Sequence, residues 1–306
     1  MRKFFTFISV AAFMTVSCSE KEPNTGGNSG NSNTEPKPVS FKIESSVLAF
    51  RSPSLDENGA GNFNDGDRNS VFFSDVKGSM KSAMQYTYGS TCLWDDLVLA
   101  ADEEVSVTAC WPELSATDKD GLMAEAEAYV WNSSKDNGKS DLLLAEPVSA
   151  VAGKTEKITL AFGHKLHKFS VELSAAEGED ISSEELAEAE IKLSGVLPEI
   201  KVNMASAALG TAQGKSADFS GKGSECWFII PPQPAGQIEL TVSFGGKDFT
   251  TKVADCNVDG KPVENLESGK VFTLKIGVSK EKPFTIVGQA ISGWESQGSA
   301  DGSIEL

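Results

Sequence analysis

Apolar and polar residues alternate along most of the sequence from residue 41 onward, and this period of two constrains the fold more than any other feature. In the segment EVSVTACW, residues 104–111, Val105, Val107 and Ala109 would share one face. Successive side chains of a β-strand point to opposite faces, whereas apolar residues on a helix recur every three or four positions. The pattern therefore predicts an all-β protein whose strands bury one face.

Other parts of the chain agree with a β-protein. Alternating runs occur at residues 158–162, 169–173, 238–244, 249–253, 272–278 and 284–291. Gly245 and Gly246 separate two of these runs, and adjacent glycines permit the positive φ angles of a two-residue hairpin turn. A helix is predicted only at residues 182–188, where Ser182 and Glu185 have the spacing of a capping box. Residues 206–223, rich in small residues and lysine, are expected to form a long loop.

The length of the alternating region suits two modest domains better than one. Pro147 and the serine, alanine, glycine and lysine of residues 148–155 interrupt the apolar runs, as at a domain boundary. Short strands with frequent turn signals occur on both sides of this point. We therefore predict two tandem β-sandwich domains, at residues 41–150 and 151–306.

The N-terminus has the features of a lipoprotein signal peptide, predicted at residues 1–17. Arg2 and Lys3 precede an apolar run at residues 4–16 that is too short to remain as a membrane-spanning helix. Small residues then precede Cys18, as in a bacterial lipobox. The Cys18 thiol would carry lipid and anchor the protein in the outer membrane at the cell surface. An ordinary secretory signal is the alternative.

Residues 18–40 are dominated by glycine, asparagine, serine, threonine and proline, and we expect them to form a flexible tether. The chain as a whole is acidic, with 44 Asp and Glu against 27 Lys and Arg and a formal net charge of −17. Such a surface repels nucleic acid and anionic lipid headgroups. Nucleic acid is therefore not an expected partner, and the membrane would be held through the lipid.

Four cysteines follow Cys18, an even number in a chain with an export signal. They permit the disulfides Cys92–Cys110 and Cys226–Cys256, one in each predicted domain. Four partly buried thiols are the alternative, because the sequence lacks a dense cysteine framework.

The sequence offers little catalytic chemistry. His164 and His167 are the only histidines, and at that spacing on one strand they would point to opposite faces. No nucleophile motif, phosphate-binding loop or metal-ligand spacing accompanies them. The acidic and amide residues between positions 56 and 67 do not follow the order of a calcium-binding EF-hand loop. We therefore expect no enzyme activity, no cofactor and no metal, with structural roles for both histidines.

The tryptophans leave a second interpretation open. Trp94, Trp111, Trp131, Trp227 and Trp294 could stack on sugar rings, as in a surface lipoprotein that binds glycans. Aromatic residues within alternating strands more often belong to a core. Glycan binding is therefore the second choice.

Several segments in the second half of the chain resemble the fimbrillin family of type V pilus subunits. They are DLLLA (141–145), ITLAFGHKLHKF (158–169), AEIKLSG (189–195), IIPPQ (229–233), LESGKVFTL (266–274) and ISGW (291–294). Their order also matches the family. The first half departs more, since the family's tryptophan and Gly-Asp segment is reduced to Gly66-Asp67-Arg68 before the second strand.

The resemblance implies two transthyretin-like β-sandwiches, export as a lipoprotein and a structural role in a fimbria that supports adhesion. Partners would be other fimbrial subunits, in a homopolymer or a heteropolymer, and a ligand on a host or bacterial surface. His164 matches the family's central histidine, which implies a packing or turn role in place of catalysis. The position of the subunit, as stalk, tip or anchor, stays open.

In stalk subunits of that family, an arginine-specific protease removes an N-terminal segment with the first strand, and a strand of the next subunit fills the groove. Beyond the signal peptide the chain has two arginines, Arg51 and Arg68. Arg51 follows a strand-like segment and is the preferred cleavage site, and Arg68, in a predicted flexible loop, is the second. Alternatively, neither is cleaved and residues 41–50 stay as a permanent first strand. The donor strand is predicted within residues 284–294.

Overall fold

The computed structural model describes residues 39–47 and 63–294, with the backbone alone at Ser46 and Val47. The predicted signal peptide, Cys18, Arg51 and nearly all of the predicted tether lie outside the described residues. Within the described ranges, no helix is long and apolar enough to cross a membrane.

Strands dominate the described residues, which confirms the predicted all-β class. Counted from the N-terminus, the first eleven are β1 Ser40–Val47, β2 Arg68–Ser74, β3 Met80–Thr87, β4 Cys92–Leu93, β5 Glu104–Trp111, β6 Val130–Asn132, β7 Leu143–Val151, β8 Lys157–His164, β9 His167–Ala175, β10 Glu190–Val196 and β11 Glu199–Asn203. The remaining strands are β12 Ala208–Gln213, β13 Ala217–Lys222, β14 Glu225–Ile230, β15 Gln233–Pro234, β16 Glu239–Phe244, β17 Lys247–Lys252, β18 Asn257–Val258, β19 Lys261–Pro262, β20 Asn265–Leu266, β21 Lys270–Val278 and β22 Thr285–Gly293.

Two α-helices lie among the described residues, α1 Lys119–Glu127 and α2 Ser183–Ala187. The capping box predicted for α2 is present, because the Ser182 hydroxyl accepts from the Glu185 backbone and the Glu185 carboxylate accepts from the Ser182 backbone. Helix α1 was not predicted. It begins at Asp118, whose carboxylate accepts from the Gly121 N–H.

A seven-stranded sheet is built from the first part of the chain, in the order β3-β2-β5-β7-β8-β1-β4. The boundary predicted at residues 148–155 falls between β7 and β8, which are neighbours in this sheet. The chain leaves the sheet after His164 and enters a different sheet at His167. The change of sheets therefore comes later than the predicted boundary, while the division into two domains stays a prediction.

The later strands form two four-stranded sheets, in the orders β13-β10-β16-β17 and β14-β9-β21-β22. The hairpin predicted at Gly245 and Gly246 joins β16 to β17. A three-stranded sheet, β12-β11-β6, pairs a strand from each part of the chain. Residues 206–223 hold β12 and β13, so the prediction of a long loop there was wrong.

Three clusters of buried residues form the interior. The first core lies on one face of the seven-stranded sheet and includes Phe41, Ile43, Val71, Phe73, Tyr86, Trp94, Val107, Leu160 and Phe162. The second core lies between the two four-stranded sheets and includes Phe169, Val171, Leu193, Phe228, Ile230, Leu240, Phe272, Leu274 and Phe284. The junction core includes Phe72, Cys110, Leu122, Trp131, Leu144, Leu166, Ile200, Ile229 and Trp294.

Strand β2 shows how the first core and the junction core share one sheet. Val71 and Phe73 lie in the first core, and Phe72 between them lies in the junction core. Because neighbouring side chains of a strand point to opposite faces, β2 is buried on both sides. A continuous apolar run, VFF, replaces the usual alternation there.

Candidate functional site

The first strand, β1, is the best candidate for a functional element. It runs parallel to β8 from Lys42↔Lys157 to Val47↔Phe162. On its other side, β4 pairs only with Ser40 and Phe41. Among the described strands, the outer edge of β1 is therefore unpaired from Lys42 onward.

Alternation along β1 directs two large apolar side chains inward. Phe41 and Ile43 are 1% and 3% exposed, while Lys42 and Glu44 face solvent. The Phe41 ring lies 4.5 Å from the ring of Trp94 and 6.3 Å from that of Phe73, measured between centroids. Burying a side chain of this size contributes about 1.5–3 kcal/mol. These two residues thus fill a groove that the rest of the sheet provides.

Tyr86 of β3 caps the open edge of β1. Its hydroxyl lies 3.1 Å from the Ile43 carbonyl oxygen, to which it donates, and accepts from the Ile43 N–H at 3.4 Å. Burial raises the pKa of Tyr86, so the hydroxyl keeps its proton. A single side chain thereby satisfies two backbone groups that a neighbouring strand would otherwise pair with.

A groove of about 360 Å³ runs beside this edge. Its walls include residues 42–45 of β1, together with Phe63, Asp65, Tyr86 and Tyr88. The Phe63 ring stacks on Tyr88 with centroids 4.7 Å apart. The aromatic walls lie beside a strand edge that no other described strand pairs with, where Tyr86 occupies the backbone groups of Ile43. Such an edge suits the binding of an extended peptide.

Arg68 lies in a different setting from the one predicted. It is the first residue of β2 and pairs with Thr87, so the prediction of a flexible loop at this position was wrong. Its guanidinium is 3.2 Å from the Glu113 carboxylate and donates to the Gln85 side chain. Proteases bind their substrates as extended, accessible chains, and these contacts hold Arg68 within the sheet.

Strand β22 forms an edge of the sheet that contains β9 and β21. Among the described strands it pairs only with β21. Ile286, Val287 and Ile291 are 38%, 58% and 39% exposed. In contrast, Phe284 just before the strand and Trp294 just after it are buried, at 8% and 4%. The strand is therefore fixed by an aromatic residue at each end and is mostly exposed between them.

His164 lies at the point where Trp294 is fixed. Its Nδ1 is 2.5 Å from Oδ2 of Asp141, and both side chains are buried. The imidazole stacks on the indole of Trp294, with centroids 4.0 Å apart and planes inclined by 17°. The DLLLA segment, the end of β8 and the end of β22 thus meet in one buried contact.

His167 begins β9 and lies in a separate environment. Its Nδ1 is 2.8 Å from the carbonyl oxygen of Glu267 and donates to it. Burial lowers the pKa of His167 to about 4, so the ring is neutral at pH 7. No group of three or more metal-binding side chains occurs in the part of the chain that the structure describes.

The four cysteines of the described residues are thiols, with no disulfide among them. Cys92 packs against the first core, whereas Cys110 lies in the junction core, so the two side chains are in different hydrophobic cores. Cys226 and Cys256 both lie in the second core. Burial raises the pKa of Cys110 to about 12 and that of Cys256 to about 11. All four side chains are therefore thiols in the structure, as in the second of the two interpretations. The disulfides Cys92–Cys110 and Cys226–Cys256 are not formed in it.

Three of the five tryptophans are buried and so are not available to stack on a sugar ring. Trp94, Trp131 and Trp294 are buried at 3–7% exposure. The partly buried ring of Trp227 lies under the Lys139 ammonium, 4.5 Å from the ring centroid. Tyr86 is the residue of this candidate site that sequence reasoning missed, since nothing in the surrounding segment MQYTYG distinguishes it from any other strand tyrosine.

Comparisons with known proteins agree with this architecture. A cell adhesion protein of Bacteroides uniformis, named "putative" in that role, superimposes with a TM-score of 0.63 at 15% identity, over 84% of this chain and 98% of the other. A similarly named protein of Bacteroides ovatus gives a TM-score of 0.54 at 15% identity, over 84% and 98% of the two chains. At this identity the likeness shows the fold alone.

No curated protein sequence matches the chain significantly. The family model described as "Fimbrillin-like" matches residues 57–294, which begins after β1 and ends at Trp294. A match over this much of the chain confirms the resemblance inferred from the sequence motifs: the chain belongs to the fimbrillin-like family.

Proposed function

We propose that this protein is a subunit of a cell-surface fimbria that assembles by strand donation and supports adhesion. In this proposal β1 is a temporary strand. Proteolysis after Arg51 separates it from the rest of the chain, and a strand of the next subunit takes its place. Other fimbrial subunits are therefore the partners, and the polymer contacts a ligand on a host or bacterial surface.

The observation that carries the proposal is the position of β1 in its sheet. Phe41 and Ile43 fill a groove of the first core, yet the backbone of β1 pairs with a full-length strand on one side only. An arginine follows β1 within a few residues, at position 51. Loss of β1 would expose the edge of β8 and the aromatic walls formed by Phe73, Trp94 and Tyr86, which is the surface that an incoming strand requires.

Arg51 is the proposed cleavage site in preference to Arg68. Cleavage after Arg68 would separate the first residue of β2, with its Glu113 and Gln85 contacts, from the strand that it begins. Cleavage after Arg51 leaves β2 complete. Lipid on Cys18 would deliver the subunit to the outer membrane, and this cleavage would then release it from its anchor.

The proposal is tested by treating the protein with an arginine-specific protease and running unheated SDS gels. We expect a ladder of polymers from the wild-type protein and from Arg68→Lys, and no ladder from Arg51→Lys treated with a protease that does not cut after lysine. Mass spectrometry of surface material identifies the first residue and any lipid on Cys18. A ladder from Arg51→Lys with an intact N-terminus would contradict the proposal.

A further inference from the structure

A cavity of about 910 Å³ lies where three segments that are distant in sequence meet. One wall is residues 78–80, at the turn between β2 and β3, and a second is residues 126–129, at the end of α1. The third is the β11–β12 hairpin, with residues 201–205 and 208–210. Ligand pockets in proteins have volumes of about 300–1,000 Å³, so this cavity can hold a small organic molecule or part of a larger one.

Apolar side chains line part of this cavity. Met204 belongs to the junction core, and the half-buried side chains of Met80, Tyr129 and Leu209 pack against that core. Methionine side chains are flexible and fit ligands of various shapes, while a tyrosine ring offers a flat apolar face. The cavity can therefore take the apolar face of a ligand against these four residues.

Two polar side chains of the cavity have hydrogen-bond donors to spare. Oδ1 of Asn203 accepts from the N–H groups of Ala205 and Ser206, at 3.1 Å and 3.2 Å, which fixes the orientation of the amide. Within residues 39–47 and 63–294, neither Nδ2 of Asn203 nor the hydroxyl of Tyr129 has a hydrogen-bond partner. Burial raises the pKa of Tyr129, so its hydroxyl keeps the proton. Both groups are thus free to donate to a ligand.

A smaller cavity of about 210 Å³ shares Tyr129 with the first one. Trp131 of β6 lines this second cavity and is only 7% exposed. Its Nε1–H is buried and has no acceptor in the part of the chain that the structure describes. Leaving a buried donor unpaired costs free energy, which an acceptor on a ligand would recover.

The charges around the two cavities balance. Glu127 and Lys201 line the larger cavity, and Lys135 and Asp136 line the smaller one, so each has one acid and one base. The chain as a whole has a net charge of −17. An anionic or a cationic ligand would meet a like charge in either cavity. The walls therefore favour a neutral ligand.

We propose that the two cavities form one binding site for a neutral saccharide, with the ring of Tyr129 as its stacking platform. The ring packs against the C–H face of a sugar, while Nδ2 of Asn203 and Nε1 of Trp131 donate to sugar oxygens. Saccharides combine apolar faces with uncharged hydroxyl groups, which matches these walls. The inference rests on the proposed function for its role in adhesion, and it names the chemical class of the adhesion ligand.

Other classes of ligand suit the site less well. A purely apolar molecule would leave the donors of Asn203 and Trp131 without acceptors. An extended peptide binds along a strand edge, and β6, the edge strand of the three-stranded sheet at this site, has only three residues. A sugar needs neither a strand edge nor a charge.

The test is native electrophoresis of the full chain, without protease, through gels that contain soluble mannan, galactan or dextran, with polygalacturonate as an anionic probe. We expect at least one neutral polysaccharide to retard the wild type. Tyr129→Ala should raise the dissociation constant at least about tenfold, because it removes the stacking face, whereas Tyr129→Phe should bind nearly as well. The control Val98→Ala truncates an exposed side chain that lines neither cavity, and it should migrate like the wild type.

A second variant guards against loss of the fold in Tyr129→Ala. Asn203→Leu keeps the side-chain volume at an exposed position, so it should fold, as thermal unfolding can verify, and it should bind several-fold more weakly. Retardation in no neutral gel, or by polygalacturonate alone, would overturn the inference. Equal retardation of the wild type, Asn203→Leu and any folded Tyr129→Ala would also overturn it. Binding by the monomer needs no cleavage, so a missing SDS ladder would contradict strand donation and leave this site intact.

Discussion

The imidazole of His164 lies face to face with the indole of Trp294, with ring centroids 4.0 Å apart. The first residue ends β8 and the second follows β22, so the contact ties the last described strand to the sheet that holds β1. Asp141 orients the imidazole through its hydrogen bond with Nδ1. The contact therefore links the predicted donor strand and the proposed groove within one subunit.

Replacement of Trp294 by alanine should loosen β22. The change removes a buried indole, at a cost of about 3–5 kcal/mol, and leaves Phe284 as the only buried anchor of the strand. We expect hydrogen exchange at residues 285–293 to accelerate far more than in β9. Trp111→Ala, at the margin of the first core, is the control, and it should leave exchange in β22 unchanged. Equal protection of β22 in the wild type and Trp294→Ala would contradict this role.

Replacement of Asp141 by alanine should destabilise the fold. The Asp141 carboxylate accepts from His164 Nδ1 and from the Leu142 N–H, and both donors would remain buried without an acceptor. Each such donor costs about 1–3 kcal/mol, which urea denaturation can measure.

Glu44→Ala is the matched control, because it removes a carboxylate from the exposed ion pair with Lys157. Exposed pairs contribute about 0–1 kcal/mol. If the free energies of unfolding of Asp141→Ala and Glu44→Ala differ little, the buried contact between Asp141 and His164 does not stabilise the fold.

His167 should make stability depend on pH. Burial lowers its pKa in the folded protein to about 4, against 6.5 in the unfolded chain. Between these values the unfolded state binds a proton that the folded state does not, so stability falls as pH decreases from 6.5 to 4. The slope is about 1.4 kcal/mol per pH unit at most.

The measurement is the difference in free energy of unfolding between the wild type and His167→Asn across this range. Asparagine keeps a donor for the Glu267 carbonyl but does not titrate. A difference that is constant between pH 4 and pH 7 would show that His167 is not buried in its neutral form.

Phe41→Ala should weaken the attachment of β1 to its sheet. Its ring packs on Trp94 and Phe73, and truncation of a buried phenylalanine costs about 3–5 kcal/mol. Proteolysis near Arg51 should then become faster, because β1 separates more often from the sheet. Lys42→Ala, the next residue and exposed, should behave like the wild type. Equal cleavage rates for the two variants would mean that β1 does not have to open.

Sequence reasoning predicted the strands that bury one face only, such as β8, because alternation reports half-burial directly. It missed α1, since only Leu122 and Ala126 are buried in that helix and the remaining residues give no apolar stripe. It also missed β12 and β13, whose small residues have low β-propensity, because pairing with β11 and β10 decides their structure.

The candidate site was predictable to a similar extent. The alternation of Phe41 and Ile43 was enough to predict a first strand, and the family resemblance was enough to propose its removal. The parallel pairing of β1 with β8 and the cap supplied by Tyr86 depend on contacts between residues far apart in sequence, which local patterns do not encode. Arg68 was placed in a loop for the same reason, because its polar neighbours conceal the pairing of β2 with β3.

The most direct test of strand donation follows the fate of β1 itself. The protein is cleaved with an arginine-specific protease, monomers and polymers are separated, and native mass spectrometry determines whether each retains the fragment that ends at Arg51. We predict that monomers retain the fragment and that polymers lack it in every subunit except one at the end of the chain. Polymers whose subunits all retain β1 would contradict strand donation.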